Sequence, residues 1–213
     1  MTMTQRRIRR VKKDKSDKLN RDLWEIIKDY KRYTTKSEWR FYFISISLTS
    51  LVMFSLIACF IDTNKNLLNS INEITTVSLT IVAILTGFNT TSLSVIASSN
   101  NKILKFLKSK TLKNNVLDSK DSILKQILVF FSFSMIYGLF ILFIGILIIL
   151  LFKYLYSLEE FPEFLEMMFV KVSVLLFGFF WLAAILFALV TSIRNASLLY
   201  RYVLFIADYN EDN

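Results

Sequence analysis

The chain contains no histidine and a single cysteine. Histidine-ligated haem and zinc, and any nucleophile activated by an imidazole, are therefore excluded within one chain. Cys59 lies inside an apolar run and has no second cysteine to pair with, so an intrachain disulfide is excluded as well. Proline appears once and glycine four times in 213 residues. With so few turn formers, loops must be few and helices long. No glycine-rich phosphate loop and no metal-ligand spacing is present. A catalytic centre lacks its parts, and the expectation is a protein that is not an enzyme and carries no cofactor or metal. No ionised side chain stands at the centre of any apolar run, which argues against proton pumps, voltage sensors and ion-coupled transporters. Those runs also lack proline and hold just four glycines, which argues against the broken helices of secondary transporters.

What the chain does have is apolar surface. Hydrophobic residues make up 54% of it, and the mean hydropathy of +0.48 is one that a soluble domain rarely reaches. Four apolar segments stand out, at 41–61, 75–98, 127–152 and 167–193. About 20 such residues suffice to cross the hydrocarbon of a bilayer. The segments divide the chain into five polar pieces, and the charge is distributed unevenly among these. Only Lys65, Lys153 and Lys171 lie in or beside the second and fourth pieces; the other 23 of the 26 Lys and Arg residues fall in the first, third and fifth. Basic residues are retained on the cytoplasmic side of a membrane. The expected protein is all-α: an integral membrane four-helix bundle with helical cytoplasmic extensions and both termini in the cytoplasm.

The pieces can be read in order. Residues 1–40 form a basic cytoplasmic tail followed by an amphipathic helix. In the tail, Arg6, Arg7, Arg9, Arg10, Lys12 and Lys13 are candidate contacts for anionic lipid or for a partner, at about 1 kcal/mol per basic residue near an anionic surface. Leu19, Leu23, Ile26, Ile27, Tyr30 and Tyr33 follow helical spacing. That helix is expected either in the inner interface or packed on the cytoplasmic ends of the others. The membrane domain spans 41–193. Within it, 62–74 is expected as an outer loop, and 99–125 as a lysine-rich inner loop built as a helical hairpin. A second outer loop carries Glu159, Glu160, Glu163 and Glu166; exposed acids there match the scarcity of positive charge outside, and no acid–base role is assigned to them. Residues 194–213 continue the fourth helix into a cytoplasmic tail. The richness in Lys, Asn, Ile and Phe points to an AT-rich bacterial or phage genome, and so to the bacterial cytoplasmic membrane. Topology accounts for the basic residues, no base-reading module is visible, and nucleic-acid binding is not expected.

The second span is the least apolar. Thr76, Thr80, Ala83, Gly87, Thr90, Thr91, Ser94 and Ser98 recur every three or four residues and fall within roughly a 100° sector of one helix. Small residues let helix backbones approach, and hydroxyls can bond across helices. A packing seam is the leading reading, and the lining of a hydrated path is the other. Asn89 stands roughly 140° away from that stripe, on a face shared with Ser78 and Ser92. An amide in mid-membrane requires a partner, either within the bundle or on a second copy of the chain. Ser134, Gly138 and Gly145 in the third span, and Ala184, Ala188, Ser192 and Ala196 in the fourth, form further small-residue seams. They predict that spans three and four pack closely, with each other or with copies.

The layout resembles that of small four-span proteins of bacterial and phage conflict systems, such as membrane effectors and superinfection-exclusion proteins. The likeness covers the general plan and transfers no residue. The functional expectation is a membrane component that self-associates and alters membrane permeability or integrity. Its expected partners are a bilayer with an anionic inner leaflet and further copies of itself. The alternative is a membrane adaptor or sensor that recruits a soluble protein through its basic cytoplasmic face.

Overall fold

A computed structural model describes residues 21–61, 63–99, 101–109, 122–156 and 168–211. The arginines and lysines of the polybasic tail and the acidic residues Glu159, Glu160, Glu163 and Glu166 lie outside the described residues.

The protein is all-α. Helix α1 (21–33) is followed by α2 (Lys36–Phe60), α3 (Asn64–Ala97), α4 (Asn101–Ser109), α5 (Ile123–Tyr156) and α6 (Met168–Glu211). Four of these, α2, α3, α5 and α6, are long and apolar enough to cross a membrane. Each continues past the predicted span at one or both ends, because helix propagation adds one hydrogen bond per residue and few helix breakers interrupt it. The largest extension replaces most of the expected outer loop at 62–74. Helix α3 starts at Asn64, capped by Thr63, whose hydroxyl accepts from the Asn66 amide at 3.4 Å. Leu67, Leu68 and Ile71 recur at helical spacing and are buried with Phe152 and Trp181, so this polar-looking segment docks as a helix.

Helix α2 begins with a capping box. The Thr35 hydroxyl accepts from the Glu38 amide at 3.2 Å, and the Glu38 carboxylate accepts from the Thr35 amide at 2.8 Å. At the same end of the bundle, α3 stops at Ser98. The Ser98 and Ser99 hydroxyls both donate to the Val95 carbonyl at 3.1 Å, and α4 follows as a separate short helix.

Helices α3 and α5 make the most extensive contact, α6 lies against both, and α2 packs on α6. The spacing of small residues decides which faces meet. A Cβ atom added at Gly138 would collide with Thr86, and one at Gly145 with Leu79. The two glycines of the third span therefore receive the second span, while Ser134 of the same seam meets Thr191 and Ser192 of the fourth, so spans three and four also pack on each other. Gly178 on α6 in turn receives Phe54 of α2, with Ile71 of α3 beside it. Leu79, Val82, Ile141, Ile148 and Ile185 fill the space between α3, α5 and α6. The outward faces of α2, α5 and α6 carry Phe43, Leu48, Phe140, Phe143, Leu150 and Phe180, all exposed. A soluble protein would bury such side chains; a bilayer solvates them.

Helix α1 packs on the bundle end formed by α5 and α6, one of the two placements expected from sequence. Tyr30 stacks on Phe133 with ring centroids 3.7 Å apart and meets Phe130 edge-on at 5.7 Å. Lys125 at the start of α5 pairs with Asp29 at 3.0 Å. Only the tyrosine end of the apolar stripe docks; Leu23, Trp24 and Ile27 stay exposed.

Candidate functional site: a buried polar network and an outward hydroxyl face

The two polar faces of α3 have opposite fates. Asn89 points into the bundle and is 1% exposed. Its amide nitrogen donates to the Ser134 hydroxyl of α5 at 3.2 Å and to the Ser192 hydroxyl of α6 at 3.1 Å. Its amide oxygen accepts from the Asn195 amide of α6 at 3.0 Å. Asn195 spends its nitrogen a second time on the Phe130 carbonyl at 3.4 Å. The Ser134 hydroxyl also lies 3.4 Å from those of Thr191 and Ser192. All five side chains are buried. Both hydrogens of the Asn89 nitrogen and its oxygen are engaged, so the group meets the demand that a low-dielectric interior places on an amide.

This network is neutral throughout. It holds no carboxylate, amine or imidazole and has nothing to exchange at ordinary pH. Its chemistry is positional: a forked donor and an acceptor fix three helices in one register, since sliding any of them by a turn would strand the amide. About four turns along α3 from Asn89 a smaller clamp acts in the same way. The Trp181 indole donates to the Thr75 hydroxyl at 3.0 Å, and Thr75 donates to the Ile71 carbonyl at 2.7 Å. The Tyr137 hydroxyl adds a bond to the Ala184 carbonyl at 3.0 Å.

The hydroxyl stripe lies on the other side. Thr76, Thr80, Ala83, Gly87, Thr90, Thr91, Ser94 and Ser98 are all exposed. Within the chain they are not the packing seam that their spacing suggested. That seam consists of Thr75, Leu79, Val82, Thr86, Asn89, Ser92 and Ile96, all buried. The outward hydroxyls turn back on their own helix. Thr76 donates to the Asn72 carbonyl at 2.9 Å, Thr90 to Thr86 at 2.9 Å, Thr91 to Gly87 at 3.0 Å and Ser94 to Thr90 at 3.1 Å. Each is therefore satisfied without a partner helix. A Cβ atom added at Gly87 would meet nothing within 4 Å, which leaves a shallow, open notch midway along the stripe.

At the predicted cytoplasmic end, Arg194 joins α6 to α1, α2 and α5. Its guanidinium lies 3.3 Å from the Glu38 carboxylate, donates to the Thr34 hydroxyl at 3.2 Å and sits 3.8 Å from the centroid of the Phe130 ring. Glu38 thus caps α2 and neutralises Arg194 at once. This cluster was not singled out in the sequence. The spacing Thr35–Lys36–Ser37–Glu38 immediately ahead of an apolar run is the signal that would have found its acidic half. At the opposite end, Lys171 donates to the Ile61 carbonyl at 3.1 Å, one turn inside α6, so its charge reaches a polar group instead of hydrocarbon. Among the described residues, no three His, Cys, Asp or Glu side chains come together as a metal would require.

No known protein family, curated protein or solved structure matches the chain.

Proposed function

We propose that this chain is a non-enzymatic, multi-pass protein of the bacterial cytoplasmic membrane that self-associates and alters the permeability or integrity of that membrane. Its termini face the cytoplasm, where the basic residues collect. A role in bacterial defence or phage biology fits this plan.

One observation carries the reading. A hydroxylated, small-residue stripe along α3 faces outward, while the interior of the single chain is filled with apolar side chains and a saturated network. Small outward residues permit close helix approach, so the stripe supports an interface between copies. A hydrated path would then run between chains, lined by Thr76, Thr80, Thr90 and Ser94, and not through one bundle.

The test is disulfide trapping in liposomes. In a Cys59→Ser background, Gly87→Cys should cross-link copies on mild oxidation, whereas Phe143→Cys on the exposed face of α5 should not. Light scattering in mild detergent should give a defined oligomer, and dye-loaded liposomes should leak. A monomer that leaves liposomes sealed, with no Gly87→Cys cross-link, removes the proposal.

A second reading has its own observation. Helices α1 and α4 dock on the same end of the bundle and expose Lys102, Lys105 and Lys108. That surface supports a membrane adaptor with an acidic soluble partner. Changing the three lysines to glutamate should release such a partner while leaving cross-linking through Gly87→Cys intact.

A further inference from the structure

Where α4, α5 and α6 meet at the basic end of the bundle, they enclose a half-open cavity of about 250 Å³. Leu107, Ile123, Ile127, Phe130, Leu198 and Phe205 form its apolar walls. Water makes too few bonds against such a wall to be held in order. The cavity is not uniformly apolar, however. Arg201 and Gln126 stand on its lining, and among the described residues no carboxylate pairs with Arg201. The Tyr202 hydroxyl, also on the lining, is already bonded to Ser99. Around the cavity, α4 presents Lys102, Lys105 and Lys108, all exposed.

The position is as telling as the lining. Ile127 and Phe130 lie in the first turns of α5, where the predicted third span begins; Leu198 and Phe205 lie one to three turns past the predicted end of the fourth. Hydrocarbon gives way to headgroups at that depth. A guanidinium there, beside an apolar cavity and under a field of lysines, complements a molecule with one anionic head and an apolar tail. Basic pockets between membrane helices at the cytoplasmic face hold anionic headgroups in this way, and arginine's fork matches phosphate oxygens.

We propose that this cavity binds an anionic phospholipid, with part of an acyl chain against Ile123, Ile127 and Phe130 and the phosphate on Arg201. The site rests on the proposed topology only in naming the inner leaflet; the binding itself does not depend on orientation or on self-association.

Native mass spectrometry of the full chain in mild detergent tests it, with equimolar dioleoyl-phosphatidylglycerol and dioleoyl-phosphatidylcholine as probes. The anionic lipid should be retained about fivefold over the zwitterionic one, the factor expected from one basic residue near a headgroup. Arg201→Gln should abolish the preference and Arg201→Lys restore part of it. Ile123→Trp, which fills the cavity, should lower retention of both lipids. Excess inorganic phosphate should not displace the lipid, and a preference that depends on Arg201 should persist in a chain whose Arg6, Arg7, Arg9 and Arg10 are glutamine, even where the tail adds its own attraction for anionic lipid. Equal retention of the two lipids overturns the proposal. So does displacement by phosphate, or a preference that survives Arg201→Gln and vanishes with the tail arginines. Thermal melting identifies any variant that fails to fold, and Ile123→Trp then decides the matter alone. The same spectra count chains, so loss of lipid from an intact oligomer is distinguishable from loss of the oligomer.

Discussion

Replacing Asn89 with alanine should cost about 2 kcal/mol of stability. The side chain makes three hydrogen bonds to other helices, to Ser134, to Ser192 and from Asn195. Interhelical bonds in membrane proteins average about 0.6 kcal/mol each, which gives about 2 kcal/mol for the set. The partners soften the loss, because Asn195 keeps the Phe130 carbonyl and Ser134 keeps Thr191. The cavity left by the missing amide acts in the opposite direction. Reversible unfolding in mixed micelles, driven by an anionic detergent and followed by tryptophan fluorescence, measures the change. A double-mutant cycle with Asn195→Ala sharpens the test. The Asn89–Asn195 bond is lost in either single variant, so the double variant should cost about 0.6 kcal/mol less than the sum. Strict additivity, or an Asn89→Ala protein within ~0.5 kcal/mol of wild type, would refute the network as a stabilising clamp. Light scattering supplies a second check. Asn89 spends its hydrogen bonds inside its own chain, so its loss should leave the oligomeric mass unchanged. An intact fold with dissolved oligomers would place Asn89 between copies instead.

Gly138→Val should lose about 1–3 kcal/mol in the same unfolding assay, because any Cβ at that site overlaps Thr86. Gly87→Ala, with open space around it, should be neutral or slightly stabilising in a monomeric micelle; equal losses at the two glycines would contradict the assigned seam. Alkaline pH should loosen the docking of α1. Burial, partly opposed by the nearby Arg194 guanidinium, pushes the Tyr30 hydroxyl from 10.0 up to about 12. A folded-state value above the unfolded one gives stability that is complete below pH 10 and is lost as pH rises toward 12, on the order of 2 kcal/mol in all. Tyr30→Phe should flatten that decline at little cost near neutrality, since Thr34 and Arg194 lie near the hydroxyl without a well-formed hydrogen bond to it. Parallel pH profiles for the two proteins would sink the assignment.

The parts of the fold that were legible in the sequence are those that solvent transfer dictates. Residues 41–61 and 127–152 are mostly apolar and carry no charged side chain, and they become α2 and α5 with ends shifted by a few residues. Residues 62–74 misled because polarity was read as loop. Asn64, Asn66, Asn69 and Glu73 are indeed polar, but Leu67, Leu68 and Ile71 between them keep a helical period and reach the core. The pairing of helices was illegible for a different reason. A glycine such as Gly138 announces that something comes close, and the sequence is silent about whether the visitor is Thr86 of α3 or a residue of α6. The Arg194 cluster was overlooked because its acidic partner, Glu38, lies 156 residues away in the chain.

The misplaced stripe carries a more general physical point about α3. One face offers six hydroxyls and the other the Asn89 amide, and the two kinds of group differ in where their hydrogens go. A threonine or serine hydroxyl has one hydrogen, and the carbonyl four residues back lies within its reach, as Thr76, Thr90, Thr91 and Ser94 show. Such a side chain can face lipid or another helix at small cost, so it does little to fix its own orientation. An asparagine amide has two hydrogens and an acceptor to place, more than the carbonyl of its own helical turn can take up. In hydrocarbon it must turn toward neighbours that supply the remainder, and Ser134, Ser192 and Asn195 do so. Asn89 therefore sets the rotation of α3 about its axis, and the hydroxyl stripe follows passively to the outside. Its availability to a second copy of the chain is thus a consequence of where the amide must point.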